Sequence, residues 1–78
     1  MKMNIIRIWV DNTFVNIQTE KGTIYKERFA DYPRLRNATP AQRADFEHDN
    51  IGIHWKSIDE DLSFNGFVKN NKLKTLIN

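Results

Sequence analysis

The first third of the chain alternates apolar and polar side chains with the period of two that is typical of β-strands. Residues 4–10 (NIIRIWV) predict a first strand whose inward side consists of three β-branched residues, Ile6, Ile8 and Val10. The opposite side of this strand carries Ile5, Arg7 and Trp9. Because that side is the less apolar of the two, we expect Trp9 to be an exposed aromatic anchor.

Two further strands follow after short turns. Residues 13–20 (TFVNIQTE) predict a second strand, and residues 23–29 (TIYKERF) predict a third. The second strand has Val15 and Ile17 inward, with Asn16 and Gln18 facing water. Three short strands joined by tight loops predict an antiparallel meander that ends before Pro33, which cannot donate to a ladder.

The segment TPAQRADFEHDN carries the clearest local signal in the chain. Thr39 is a preferred N-cap, Pro40 suits the first helical position, and Gln42 completes a capping box. These residues predict a helix of about two turns that Asn50 or Gly52 stops.

Alternation returns in IGIHW, which predicts a fourth strand with Ile51, Ile53 and Trp55 inward and His54 on the other face. The following segment, DEDLSFNGFV, predicts a turn and then a short helix. We expect the three acids at its start to complement the helix dipole; they are Asp59, Glu60 and Asp61.

These elements define the α+β class: a three-stranded antiparallel meander, a short capped helix, a fourth strand and a short C-terminal helix packed on the sheet. Seventy-eight residues suffice for one hydrophobic core. We expect residues 1–68 to form the single α+β domain. Residues 69–78 (KNNKLKTLIN) predict a C-terminal tail that is frayed or loosely docked.

Composition excludes several classes of chemistry. The chain contains no cysteine, which excludes disulfides, thiolate metal sites and thiol catalysis. The N-terminal apolar run is interrupted by Arg7, and no uncharged stretch approaches the roughly 20 residues that a membrane helix needs. We therefore expect a cytoplasmic protein with no membrane association.

Charge is distributed unevenly although twelve basic and ten acidic residues leave a net charge of only +2. Residues 1–36 carry seven basic and four acidic residues, residues 37–62 carry two and six, and residues 63–78 carry three lysines. An acidic middle between basic ends suits a protein partner of matching polarity. The alternative is an ordinary solvated surface.

The sequence contains residue types that catalytic and metal sites use, but their spacing supports neither kind of site. A metal site would use His48, Asp49, His54, Asp59 and Asp61. These residues lack the short ligand spacings that guarantee convergence, and the two aspartates lack the glycine and distal glutamate of a calcium loop. A triad of Ser57 or Ser63 with His54 and an aspartate lacks any organising turn such as GxSxG. We therefore expect no catalytic residue, no metal and no cofactor, and no enzymatic activity.

Several motifs together resemble the bacterial domain-of-unknown-function 2442 family. They are PRL with ATPAQR (Pro33–Leu35 and Ala38–Arg43), GIHW (Gly52–Trp55) and DEDLS (Asp59–Ser63). The resemblance covers roughly residues 5–68. Lys56 stands where proline is common in the family, and FNGFV replaces the usual ending.

The resemblance implies a small α+β unit with no established catalytic activity. Such domains are often encoded beside another small uncharacterised protein, in an arrangement similar to toxin–antitoxin pairs, and some are fused to helix-turn-helix domains. We therefore expect a non-catalytic protein-interaction domain that binds a small protein partner. The candidate contact residues are Trp9, Arg34, Arg36, Asp59, Glu60 and Asp61.

The alternative function is a nucleic-acid-binding regulator that acts alone or with its partner. Arg34, Arg36 and Arg43 form the densest basic cluster, and Tyr32 beside them can stack on a base. The acids of the neighbouring helix would repel phosphates. We therefore expect Arg34 to pair instead with Asp31 or with an acid of the DED segment.

Overall fold

Three antiparallel strands form the first sheet in the order β1–β2–β3, which confirms the predicted meander. They are β1 (Ile5–Val10), β2 (Phe14–Thr19) and β3 (Ile24–Arg28). The computed structural model describes residues 3–77, with the side chains of residues 3–72. Asp11 fixes the first turn, because its Oδ1 accepts hydrogen bonds from the backbone N–H groups of Thr13 and Phe14 at 2.8 and 2.7 Å.

β1 contains a bulge at Ile6. The bulge changes which side chains of the strand face the core. Ile5 and Arg7 pair with consecutive residues of β2, so that Ile6 is an extra residue on one strand. Ile6 is 61% exposed, whereas Ile5, Ile8 and Val10 pack against the core. The prediction that Ile6 faces inward is therefore wrong, because a bulge interrupts the strict period of two.

β2 is buried on both sides. Val15 and Ile17 lie fully in the core, as predicted. Asn16 is also buried, and its Nδ2 donates to Oδ2 of Asp11 at 3.1 Å and to the carbonyl of Trp9 at 3.4 Å. The prediction that Asn16 faces water is therefore wrong, since its side chain lies between its cross-strand partners Trp9 and Lys26 on the outward face.

Two short helices follow the first sheet, α1 (Pro33–Arg36) and α2 (Pro40–Ala44). The predicted capping box is present. The Gln42 N–H donates to Oγ1 of Thr39 at 3.1 Å, and the Thr39 N–H donates to Oε1 of Gln42 at 2.9 Å. The helix nevertheless ends at Ala44, so that the predicted second turn, with its stop at residue 50 or 52, is wrong.

The chain leaves α2 because Phe46 packs against the core and residues 47–48 belong to a second sheet. The ring of Phe46 packs against that of Trp55, with 6.1 Å between ring centroids. Immediately after it, β4 (Glu47–His48) pairs antiparallel with β5 (Gly52–Trp55), the predicted fourth strand. A helix continued through residue 48 would lose both contacts.

The segment DEDLS forms a further strand, β6 (Glu60–Ser63), which completes the second sheet in the order β4–β5–β6. A 3₁₀ turn over Lys56–Ile58 ends at Asp59, whose backbone is left-handed with φ 55° and ψ 47°. This conformation, which aspartate tolerates better than most residues, reverses the chain and sets β6 antiparallel to β5. The prediction that DEDLS starts a helix and that its acids complement a helix dipole is therefore wrong.

The C-terminal helix α3 (Phe64–Ile77) packs on the sheets, as predicted. Phe64 and Phe67 are buried, and Nδ2 of Asn71 donates to the backbone carbonyl of Lys26 at 3.1 Å. The backbone of residues 69–77 continues this helix. Residues 1, 2 and 78 and the side chains of residues 73–77 lie outside the described residues, so that the domain boundary at 68 and the fraying of the tail stay predictions. Among residues 3–77, no helix has both the length and the apolar composition to cross a membrane.

The inner faces of both sheets and one face of α3 meet in a common core. Ile53 and Trp55 lie in it as predicted, but Ile51 is 72% exposed. Ile51 precedes β5 in a tight turn in which Oδ1 of Asp49 accepts the backbone N–H groups of Ile51 and Gly52 at 2.8 and 3.0 Å. The core consists of Val15, Ile17, Phe29, Leu35, Ile53, Trp55, Leu62, Phe64 and Phe67.

Glu27 is a carboxylate that points from β3 toward this core and is only 2% exposed. The hydroxyl of Tyr32 donates to Oε2 of Glu27 at 2.6 Å. Burial of the Tyr32 hydroxyl, together with this hydrogen bond, raises its pKa well above the ordinary value of 10.0. The contact ties the segment after β3 back to the first sheet.

Candidate functional site

The second sheet gathers acidic side chains on the face that points away from the core. The strand register sets Glu47, His54 and Asp61 directly opposite one another across the three strands. Ile53, Trp55 and Leu62, which alternate with these residues, point inward and are buried. Asp49 reaches the same face from the turn between β4 and β5. We call the surface formed by Glu47, Asp49 and Asp61 around His54 the acidic face.

His54 lies at the centre of the acidic face and binds a carboxylate through each ring nitrogen. Nδ1 lies 2.6 Å from Oδ1 of Asp61, and Nε2 lies 2.8 Å from Oδ2 of Asp49. The hydrogen bonds to Asp61 and then to Asp49 raise the pKa of His54 above its ordinary value of 6.5. The backbone N–H groups that Asp49 accepts, and then its bond to His54, lower the pKa of its carboxyl from 3.8 to about 2. The hydrogen bonds to these two aspartates therefore favour the protonated form of the imidazole.

The stability of the fold is expected to depend on pH through His54. Because its folded pKa is raised, the stabilisation is fully present below the unfolded value of about 6.5 and is lost as pH rises through the folded pKa. The lowered pKa of Asp49 adds stability above about pH 3.8, which is lost as pH falls toward about 2. Urea midpoints of the wild type should therefore exceed those of His54→Gln most at about pH 5 and least at about pH 8.5. A difference that does not change with pH would contradict this assignment.

The three consecutive acids of the DED segment do not form one continuous edge. Asp61 is exposed on the acidic face, with 71% of its side chain accessible. Glu60 is half-buried and lies on the same face of β6 as Leu62, opposite the acidic face. Its Oε1 accepts a hydrogen bond from the backbone N–H of Asp61 at 3.1 Å. Asp59 is exposed in the left-handed turn. Of the three candidate contact acids, Asp61 alone has its position on the acidic face fixed by strand pairing among residues 3–72.

Two of the candidate arginines lie on α1, and Arg34 contacts the turn that precedes β6. Its Nη1 donates to the backbone carbonyl of Asp59 at 2.6 Å. Arg34 was expected to pair with Asp31 or with an acid of the DED segment. It does contact Asp59 of that segment, but through the backbone carbonyl and not the carboxylate, and Asp31 pairs with Arg28 at 2.9 Å. Arg36 is exposed.

Arg43, the third member of the basic cluster, serves the fold. Its Nε and Nη2 donate to the carbonyls of Leu35 and Arg36 at 2.9 and 3.0 Å, and its guanidinium lies 4.6 Å from the ring centroid of Phe29. The guanidinium groups of Arg34 and Arg43 thus donate hydrogen bonds to backbone carbonyls. This weakens the case for a phosphate-binding cluster at these arginines.

Trp9 lies away from the acidic face, on the outward side of the first sheet. It pairs across strands with Asn16 and lies beneath the guanidinium of Arg7, 4.3 Å from the ring centroid. The candidate contact residues therefore occupy at least two surfaces, with Trp9 on one sheet and Asp61 on the other.

The histidines and serines show no arrangement typical of a metal or catalytic centre within the described part of the chain. Residues 3–72 contain no group of three histidine or acidic side chains placed to hold a metal ion. The ring nitrogens of His54 contact carboxylates. Ser63 accepts the backbone N–H of Gly66 at 3.0 Å and so caps α3.

Sequence reasoning missed Glu47 as part of this surface and assigned Asp49 only to a metal site. Both residues fell within the predicted second turn of α2, where their relation to His54 was hidden. The available signal was the alternation in FEH (Phe46–His48), with an apolar residue and then a polar one before a turn. The strand itself is only two residues long, Glu47–His48, which is too short for its alternation to outweigh a strong capping box.

The fold and the acidic face define a class of protein: a small α+β domain of two three-stranded antiparallel sheets and a C-terminal helix, with charged outward surfaces. The family model described as "Protein of unknown function (DUF2442)" matches residues 5–72. The chain belongs to this family. The match ends at residue 72, within α3 and four residues beyond the predicted domain boundary at residue 68.

A solved structure shares the fold. It is the 2.75 Å crystal structure of a protein of unknown function from Rhodospirillum rubrum ATCC 11170, to which this chain is similar with a TM-score of 0.74 and 22% sequence identity. The similarity covers 90% of this chain and 89% of that one. No curated protein matches the chain.

Proposed function

We propose that this chain is a non-catalytic, cytoplasmic protein-interaction domain that binds a small basic protein through its acidic face. The observation that carries the proposal is the row of Glu47, His54 and Asp61 across the second sheet, extended by Asp49. The resemblance to the family supports a partner encoded beside this chain, in a two-protein system similar to a toxin–antitoxin pair.

The exposure and rigidity of the acidic face support this role. The side chains of Glu47, Asp49 and Asp61 are 65%, 55% and 71% accessible, so that a partner can reach their carboxylates. His54 is 32% accessible and holds two of these carboxylates in fixed positions. Charges that are already ordered lose less side-chain entropy when a partner binds.

The charge of the face indicates the chemistry of its partner. Lys56 pairs with Glu47 at 2.9 Å. Even in its protonated form, His54 offsets only one of the two carboxylates that it binds. The face therefore keeps a net negative charge. A complementary partner presents lysine and arginine, which would accelerate encounter and make binding weaken as salt rises.

Co-expression with the small protein encoded beside this chain, followed by size-exclusion chromatography and calorimetric titration, tests the proposal. We expect co-elution, and an affinity that falls several-fold in Glu47→Gln and further in the double variant with Asp61→Asn. Glu20→Gln is the matched control, because it removes the same charge from an exposed residue of the β2–β3 loop. Separate elution at micromolar concentration, or equal losses in Glu47→Gln and Glu20→Gln, would contradict the proposal.

A further inference from the structure

The outward face of the first sheet sets cations directly on aromatic rings. The guanidinium of Arg7 lies 4.3 Å from the ring centroid of Trp9, and the ammonium of Lys26 lies 5.0 Å from that of Phe14. All these side chains point away from the core, because they alternate with the inward residues of their strands. We call this surface the basic-aromatic face: Arg7, Trp9, Phe14, Lys26 and Arg28.

The cations of this face differ in how close they lie to carboxylates. The charge of Lys26 acts on Asp11, whose Oδ2 accepts a hydrogen bond from Asn16 on the same face. Arg28 forms an ion pair with Asp31, with 2.9 Å between Nη2 and Oδ1. Arg7 and Lys26, by contrast, form no ion pair with any acidic side chain of residues 3–72. The face thus presents two cations outside ion-pair distance of any described carboxylate, each beside an aromatic ring, in contrast to the acidic face of the second sheet.

The two aromatic rings lie close enough to act together. Trp9 pairs with Asn16, two residues from Phe14, so that the two residues occupy diagonal positions on adjacent strands, within reach of aromatic side chains. Both residues are half-buried and stand outside the core cluster. Ile24 extends the apolar part of the face and is 46% exposed.

We propose that the basic-aromatic face binds single-stranded nucleic acid. Unpaired bases stack on aromatic rings and on guanidinium planes, and the cations beside those rings contact the phosphates between successive bases. An acidic peptide would need the cations only, whereas this surface couples each unpaired cation to a planar ring. This activity goes beyond the proposed protein binding, since it uses the other sheet and a different class of partner.

The same geometry defines the expected binding behaviour. Every base has a π-face, so that stacking on Trp9 and Phe14 favours single strands without strong sequence preference. Duplex DNA or RNA keeps its bases stacked on one another and so cannot use the rings. With two or three phosphates contacted, affinity should fall about tenfold between about 50 and 200 mM salt.

Fluorescence anisotropy with a labelled 12-nucleotide oligouridylate at about 50 mM salt tests the proposal. We expect binding with a Kd of about 10⁻⁵ M, weakened at least about fivefold in Trp9→Leu and in the double variant Arg7→Gln with Lys26→Gln. Lys69→Gln, which removes an exposed positive charge from α3, should bind as the wild type does. Because Arg7 and Lys26 are surface residues, circular dichroism should show the double variant folded, which keeps the test valid if Trp9→Leu unfolds.

Three results would overturn the proposal. The first is no anisotropy change up to about 10⁻⁴ M protein, the weak limit of ordinary non-specific binding. The second is equal weakening in Lys69→Gln and in the double variant. The third is polyglutamate binding as tight as oligouridylate and insensitive to Trp9→Leu, which would assign the face to an acidic protein instead.

Discussion

Gly52→Ala is expected to destabilise the fold by about 3 kcal/mol or more, although it adds a single methyl group. A Cβ at Gly52 would overlap the carbonyl oxygen of Leu62 and lie 2.9 Å from the Cα of Ser63. Both atoms belong to the backbone of β6, which cannot rotate away as a side chain can. β6 must therefore separate from β5, and the acidic face, which spans both strands, loses its register.

Urea denaturation followed by circular dichroism measures this effect, with Gly66→Ala as the matched control. A Cβ at Gly66 would lie 3.0 Å from Oγ of Ser63, the end of a side chain that can move. Alanine is also preferred to glycine inside a helix by about 1 kcal/mol. We expect Gly66→Ala to stay within about 1 kcal/mol of the wild type. A similarly small change in Gly52→Ala would show that β6 does not approach β5 this closely.

Trp55→Ala is expected to cost about 3–5 kcal/mol, because it opens a large cavity in the core. Trp55 is fully buried, packs against Phe46, and donates its indole N–H to the carbonyl of Arg43 at 2.9 Å. Trp55→Phe keeps most of the volume and removes this donor, so that its smaller cost includes the unsatisfied carbonyl, about 1–3 kcal/mol.

The second tryptophan of the chain is the control for Trp55. Trp9 is half-buried on the outward side of the first sheet, where its contact with Arg7 is worth about 1 kcal/mol at most. Trp9→Ala should therefore shift the urea midpoint much less than Trp55→Ala. Equal losses in the two variants would contradict the assignment of Trp55 to the core and Trp9 to the surface.

Local signals predicted the parts of the fold that depend on neighbouring residues. The alternation in residues 4–29 gave the meander, and Thr39 with Gln42 gave the start of α2, because a capping box forms within four residues. Ile53 and Trp55 were likewise assigned to the core correctly by the alternation in β5. In each case the determining contacts lie within one element or between adjacent strands.

The wrong predictions concern contacts between segments distant in sequence. The bulge at Ile6 is invisible to a periodicity of two, since the extra residue appears only when β1 is paired with β2. The capping box favoured a longer helix, but pairing between β4 and β5 ended it at Ala44. The residues after Asp59 were expected to start a helix. They form β6 instead, because the left-handed turn at Asp59 lets them pair with β5, and this pairing outweighs local propensity.

The candidate site was predictable only in part for the same reason. Asp61 was named from the sequence, but Glu47 joins it through two strand pairings that a single strand pattern does not reveal. The acidity of residues 37–62 indicated a charged surface. Its actual composition, with Glu47, Asp49 and Asp61 around His54, required the register of the second sheet.

Amide chemical-shift mapping of the labelled protein, titrated with the proposed small basic partner, tests the protein-binding proposal most directly. We expect the largest shift changes on residues 47–49, on His54 and on Asp61, with little change at Arg7 and Lys26. We also expect these changes to weaken as salt rises. Shift changes confined to the first sheet, or none at saturating partner, would contradict the assignment of the acidic face as the protein-binding surface.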